Sequence, residues 1–383
     1  MTEANKPRFY PVSSPDIGAL EEQYVSQAVR SGWVSSIGEF VDRFEAGFAK
    51  VCGSRHGVAV SNGTDAIFLA LKALGVGPGD EVIVPALTFV AVPAVVLHVG
   101  AEPVLVDVDA RYWGLDPAAV DKAFTPRTRA VVAVHLYGHP VDMNPLLEMA
   151  AARGVAVIED CAEAHGAAYR GRTVGSMGRL GCFSFYGNKV ITTGEGGVVT
   201  TDDDDLAERV RFIKDHAMDK ERRYFHPEAG YNCRMTNMQA ALGCAQLERM
   251  EELLHKRARL LGWYERELAD LEGLTLNPKM PWAEPVNWIV CGVLSAKLAP
   301  RRDALLVRLR ELGVDTRPFF VPAYHMPPYA GCRRVGADGG VDLPGTDQAG
   351  AAGFNLPTVC SLTEQDVKHI GAQVRLALAE VTG

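Results

Sequence analysis

The chain has no run of eighteen apolar residues, no C-x-x-C pair and no block of lysine or arginine, and each absence removes a class of protein. Without a long apolar run, a membrane-spanning helix is excluded, and no membrane partner is expected. Eight scattered cysteines, none spaced as C-x-x-C, give neither a disulfide framework nor the usual zinc spacing, so no metal is expected. With 39 Lys+Arg against 47 Asp+Glu, a net charge of −8, the chain is poorly suited to a phosphate backbone, and nucleic acid is not an expected partner. Two nucleotide-binding signatures are also missing: the lysine-bearing phosphate loop, and G-x-G-x-x-G after a strand. The opening stretch MTEANKPRFYPVSSP has no apolar segment, so no secretory signal is read and a cytoplasmic location is expected.

What is present is apolar material in quantity. The 383 residues are 48% hydrophobic and 22% charged, enough to bury a large core, and the length suggests about two or three domains. From residue 57 to 200, short continuous apolar runs (82–84, 104–106, 130–134, 155–158) alternate with helical patterns such as 65–74 and 145–153. Gly75 and Gly154 stand where helix ends need a left-handed residue. Continuous apolar runs suit strands buried on both faces of a parallel sheet, hence an α/β layered fold. The acids 202–205 precede a helical pattern and read as its N-terminal charges rather than a metal site. Residues 238–261 carry no proline and one glycine, and their spacing predicts a single long helix. Beyond it the pattern becomes α+β, with a strand at 288–294 and helices at 302–312 and 363–378. We therefore place a large domain at 1–250 and a smaller one at 251–383.

Three segments sit where strands of such a sheet give way to loops or helices, the usual place for ligands in open α/β sheets. In Ser61-Asn-Gly-Thr-Asp65, a helix start follows a strand; free amides and the helix dipole could cradle a phosphate, and Gly63 permits close approach. Read alone, it is better taken as an ordinary helix cap with no ligand. In Val157-Ile-Glu-Asp160, an acidic pair closes an apolar strand, and a carboxylate there needs a cation to stay ionised. A salt-bridged structural aspartate would look the same. In the segment 181–197, Lys189 lies among apolar, small and glycine residues with no acid nearby in sequence until Glu195. A poorly solvated lysine loses some proton affinity and becomes nucleophilic toward aldehydes. Ser184 could give a hydroxyl to a phosphate. Phosphate cradle, isolated carboxylate and amine nucleophile are the parts that pyridoxal phosphate chemistry asks of a protein.

The order of short motifs extends this reading. GWVSS at 32–36, SNGT at 61–64, PALTFV at 85–90, HLYGH at 135–139, EDCAEAH at 159–165, FSFYGNK at 183–189, GEGG at 194–197 and GYNCRMTN at 230–237 resemble the DegT/DnrJ/EryC1/StrS sugar aminotransferase family over essentially the whole length. The resemblance implies a fold-type-I pyridoxal-phosphate transferase: a large αβα domain with a mostly parallel sheet, and a smaller C-terminal α+β domain. It implies Lys189 as the lysine that meets the cofactor aldehyde and later shuttles a proton, with Asp160 against the pyridine nitrogen. Glu163, where many relatives carry Gln, would lie near the ring hydroxyl; Phe89 would stack on the ring; Gly63, Thr64 and Ser184 would hold the phosphate. Asn232 would reach that phosphate from a neighbouring subunit, so a homodimer with shared active sites is implied. The implied amino donor is L-glutamate, with pyridoxamine phosphate as the intermediate form and a ketosugar nucleotide as acceptor. A dehydratase branch of the family carries His where this chain has Lys189, so transamination is the implied reaction. The segments 135–140, 224–227 and 316–329 most resemble members that aminate C4 of GDP-4-keto-6-deoxymannose. The chain departs from them at Tyr324, where they usually have His, and at His325, where they have a small polar residue. Another ketosugar nucleotide or a cyclitol of secondary metabolism is the alternative acceptor.

Other residues invite function more weakly. His135, His139 and His165 match no metal-site spacing and read as polar packing. Arg222, Arg223, Arg234 and Arg317 are candidate partners for carboxylates or a pyrophosphate, since guanidinium groups bind such anions bidentately.

Overall fold

The computed structural model describes residues 8–382. In chain order its strands are β1 (His56–Val60), β2 (Glu81–Pro85), β3 (Glu102–Val106), β4 (Thr128–Val134), β5 (Ala156–Asp160), β6 (Ala168–Tyr169), β7 (Arg172–Thr173), β8 (Leu180–Ser184), β9 (Gly197–Thr201), β10 (Leu274–Leu276), β11 (Ala283–Glu284), β12 (Val290–Leu294), β13 (Arg317–Pro318), β14 (Arg334–Val335) and β15 (Gly353–Leu356). Eight of them form one sheet in the order β1-β9-β8-β5-β4-β2-β3-β14. Five of its seven pairings are parallel; only β9 runs against its neighbours β1 and β8. The protein is thus α/β with a large, mostly parallel sheet.

The continuous apolar runs have the burial they imply. In β4, Ala130, Val132 and Val134 belong to one buried cluster, while Val131 and Ala133 belong to another on the opposite face. Successive side chains point to opposite faces of a strand, so a sheet covered on both sides needs apolar residues at every position. The helix Gly63–Ala73 starts because Asn62 is extended and its side chain accepts the amide of Asp65. Likewise Asp203 caps the helix Asp204–Lys214 by accepting the amide of Leu206, so the acid run serves the helix start.

A second, antiparallel sheet, β10-β12-β15-β13, has its own core from Leu260, Tyr264, Val367, Ile370 and Val374 among others. Two segments cross the 250/251 division read from the sequence. Tyr10 bridges to Val314 and joins the C-terminal core, while β14 returns to the edge of the large sheet beside β3. The long helix expected over 238–261 is instead two, Asn237–Glu248 and Met250–Leu268, meeting at Arg249 with φ −96° and ψ 2°. The Arg249 guanidinium bonds Asp16 at 2.6 Å and the buried Glu21 at 2.7 Å, a tertiary contact that no helical periodicity encodes. Among the described residues, no helix is long and apolar enough to cross a membrane.

The three histidines pack as polar core. His135 Nδ1 accepts the amide of Val141 at 3.0 Å, which leaves Nε2–H to donate to Glu159 at 3.1 Å. Cys161 lies close to this pair, but Glu159 is already occupied by the amides of Gly175, Met177 and Gly178 at 2.7–2.8 Å. His165 is wholly buried against Phe48, Phe183 and Phe185, and neither ring nitrogen finds a partner. Burial pushes its imidazole down to about 3. An unfolded histidine takes a proton below about pH 6.5, so the unfolded chain gains protons first. Stability is therefore lost as pH falls from about 6.5 toward that lower value, by roughly 2 kcal/mol at pH 5 from this residue. Denaturant unfolding at pH 7.5 and 5 should show the wild type losing that much more than His165→Leu; equal losses would contradict the assignment.

Candidate active site

Five strands of common direction end on one rim of the sheet. β1 leads into Ser61–Gly63, β2 into Thr88 and Phe89, β4 into His135, β5 ends on Asp160, and β8 ends on Ser184. A cavity of about 570 Å³ opens there, and all of these residues line it, with Thr64, Glu163, Lys189, Trp288 and Arg317. The β8–β9 connection carries Lys189, so the lysine hangs from a loop pinned at both ends by adjacent strands.

At one end, Asn62 and Asp65 shape the start of the Gly63–Ala73 helix. Asn62 Nδ2–H donates to Asp65 at 2.9 Å, and the Ser61 hydroxyl donates to the same carboxylate. The first amides of a helix have no intrahelical acceptor, and the dipole there favours an anion. A Cβ on Gly63 would stand 2.5 Å from the Cβ of Ser184, so only glycine lets this turn meet β8.

Deeper in the cavity, Asp160 Oδ1 accepts the amide of Ala162 at 3.0 Å. Burial pushes the Asp160 carboxyl up, with that amide and the charge of Lys189 working against it. A carboxylate so placed is best satisfied by a cation brought into the cavity. Lys189 is mostly buried, its side chain 12% exposed, and its amine has two neighbours: Glu163 Oε1 at 3.6 Å and the Trp288 ring centroid at 4.2 Å. Glu163 is the acid that local sequence around Lys189 did not reveal. Phe89 stands half-exposed at the mouth, its ring 5.6 Å from Phe320.

These observations test the site against pyridoxal phosphate, and the residues fit. A glycine-only anion cradle, a buried carboxylate and a sheltered amine face one cavity. Thr88 and Asn188 also line it, and among the described residues the buried Thr88 hydroxyl and Asn188 amide oxygen find no hydrogen-bond partner.

Of the residues named from the sequence, Gly63, Thr64, Phe89, Asp160, Glu163, Ser184, Lys189 and Arg317 line this cavity, whereas Asn232, Arg234, Tyr324 and His325 do not. Asn232 pairs with Asp215 in an isolated β-bridge, and Arg234 forms an ion pair with Asp215. The Tyr324 hydroxyl donates to Asp347. Arg222 and Arg223 lie over the rings of Phe225 and Tyr224 on an outer loop.

Two residues escaped the sequence reading, one on the cavity wall and one behind it. Trp288 Nε1–H donates to the Asn188 carbonyl at 2.7 Å, which sets its indole over the lysine. Arg257, fully buried, donates to the carbonyls of Trp288 and, at 3.3 Å, Lys189. Neither has a local signal, since each acts through a partner remote in sequence.

Residues 15–375 match the DegT/DnrJ/EryC1/StrS aminotransferase family. A GDP-perosamine synthase from Caulobacter vibrioides is 47% identical over 360 residues, covering 94% of this chain and 95% of that one. An aminotransferase from Streptoalloteichus hindustanus superposes with a TM-score of 0.91 at 32% identity, over 98% of this chain and 100% of its own. A Streptococcus pneumoniae protein solved in its PMP form superposes with a TM-score of 0.90 at 26% identity, over 97–98% of this chain and 98–99% of its own in that and its PLP form.

Proposed function

This chain belongs to the DegT/DnrJ/EryC1/StrS aminotransferase family of pyridoxal-phosphate enzymes, and we propose that it moves the amino group of L-glutamate to C4 of GDP-4-keto-6-deoxymannose. The observation that carries the site reading is the meeting of Lys189, Asp160 and the Gly63 turn in one cavity at the sheet rim. The acceptor reading is supported by the 47% identity to a protein named GDP-perosamine synthase.

Bound pyridoxal phosphate supplies an aldehyde that condenses with amines and a ring that accepts carbanion electrons. The chain supplies the rest. The amides at Gly63 and Thr64 and the Ser184 hydroxyl hold the phosphate. Asp160 would hold a proton on the ring nitrogen, a cation being what a buried carboxylate needs to stay ionised. Lys189 is the nucleophile and then, once free, the base that moves a proton at the carbon bearing nitrogen. Phe89, half-exposed at the mouth, would cover the ring. Arg317, the one arginine on the cavity wall among the described residues, would bind a carboxylate or phosphate of the substrates.

A homodimer completes the site in this reading. Asn232 lies off the cavity of its own chain, as a residue serving a neighbour would. Trp33, Ile37 and Tyr224 are 58%, 68% and 76% exposed, large apolar surface that an interface would cover.

The test is to incubate the enzyme with nitrogen-15 glutamate and a panel of 3- and 4-ketosugar nucleotides. Labelled nitrogen should enter C4 of the GDP-mannose-derived ketosugar at least about tenfold faster than any other acceptor. A faster dTDP or UDP substrate would refute the acceptor, and ketosugar consumed without nitrogen uptake would mean dehydration.

A further inference from the structure

In an aminotransferase cycle the active-site lysine is released as a free amine into a poorly hydrated cavity, and an ammonium there needs a built environment. The structure contains one. Glu163 Oε1 stands 3.6 Å from Lys189 Nζ, and the Trp288 ring lies on another side with its centroid 4.2 Å away. Both are held by bonds that do not involve the lysine side chain. The second carboxylate oxygen of Glu163 accepts the amide of Tyr137 at 2.8 Å, and Tyr137 adopts φ 53°, an uncommon left-handed conformation that its buried surroundings impose. The indole is fixed through its N–H to the Asn188 carbonyl. An aromatic face and a carboxylate are the two groups that stabilise a desolvated ammonium.

We propose that Glu163 and Trp288 form a docking place for the displaced Lys189 ammonium, and that Glu163 is the group with which the lysine exchanges its proton. In the exchange the N–H bond of the ammonium breaks and an O–H bond forms on Glu163, leaving a neutral amine beside a neutral carboxylic acid; the reverse transfer restores the ion pair. No other acid or base is required. Burial pushes the Glu163 carboxyl up, toward the range where it can accept a proton, while Lys189 opposes that shift. The other titratable groups around the pair are poorly placed for the exchange. Asp160 from β5 faces the cofactor nitrogen in the reading above, the Tyr137 hydroxyl and the Cys291 thiol are pushed far up by burial, and His165 stays neutral. This role rests on Lys189 being the amine that meets the cofactor, and it gives a reason for an acid at 163.

The test reads the amine itself rather than turnover. Full-length protein stripped of cofactor is pulsed with an acetylating reagent at pH 7, and peptide mass spectrometry gives the Lys189 rate relative to Lys214. Lys214 is a second sheltered lysine, bonded to Glu45 and the Ala59 carbonyl, so general loosening of the fold cancels in the ratio. In Glu163→Gln, which keeps an acceptor for the Tyr137 amide, the ratio should rise about tenfold, because the amine loses the carboxylate that engages it at 3.6 Å. In Trp288→Leu it should rise about threefold, and Trp288→Phe should restore the wild-type value. A ratio unchanged in Glu163→Gln, or equal in the Leu and Phe variants, overturns the proposal. Because no cofactor is present, that failure is separate from a failure of the aminotransferase site, which is read from the absorbance of the loaded enzyme.

Discussion

Lys189→Ala is expected to lower turnover by about 10⁴-fold or more and to remove the borohydride-sensitive visible band of the loaded enzyme. The size follows from two losses in one residue. The amine that condenses with the aldehyde is gone, and so is the base that moves the proton, which alone is worth roughly 10²–10⁴-fold. The geometry leaves no substitute for the amine. Among the described residues, Lys189 is the only lysine on the cavity wall, so no second amine can condense with the aldehyde. Cofactor should still associate, since the Gly63 turn, Ser184 and Asp160 are untouched, so the variant should bind it and remain colourless in the aldimine-type region. A variant that kept the band or turned over within tenfold of wild type would remove the lysine from the mechanism.

The second large effect is expected at Asp160. Asp160→Asn preserves shape and still accepts the amide of Ala162, now bonded at 3.0 Å, but it carries no charge. The carboxylate is costly where it stands, because burial disfavours its ionised form. That cost is offset only when a cation faces it, and an amide cannot provide the match. Without a fixed proton on the ring nitrogen, the ring is a weaker acceptor of electrons, and each half-reaction should slow by about 10²–10³-fold, or roughly 3–4 kcal/mol of barrier. The visible band should persist because Lys189 is intact. Stopped-flow absorbance after mixing with glutamate measures the first half-reaction by itself. Decay within threefold of wild type would place Asp160 in packing rather than chemistry.

What was legible in the sequence was legible locally. The βαβ rhythm, the Asn62 cap, the acid run before residue 204 and the three chemistry-bearing segments at strand ends all depend on residues within a few positions of one another. Strand direction then does the assembly: parallel strands end on one rim, so the Ser61, Asp160 and Ser184–Lys189 segments are brought together without any signal linking them. Phe89 and Glu163 were named only by the family resemblance, because nothing in their own neighbourhood marks them. The helix break at Arg249, the clasp of Tyr10 on the C-terminal core and the wall formed by Trp288 rest on contacts between segments far apart in the chain. Arg234 shows how little residue type alone specifies. A guanidinium suits any anion, and in this chain Arg234 pairs with Asp215.

Arg257 has a mechanical consequence. Its single guanidinium grips the main chain of two segments of the site, at the lysine loop and at Trp288 before β12. A cation with no carboxylate of its own cannot release either carbonyl without leaving a bare charge in the interior. The lysine loop and the chain that enters β12 therefore travel as one piece, so the nucleophile and the indole beside it keep their spacing whatever the rest of the molecule does.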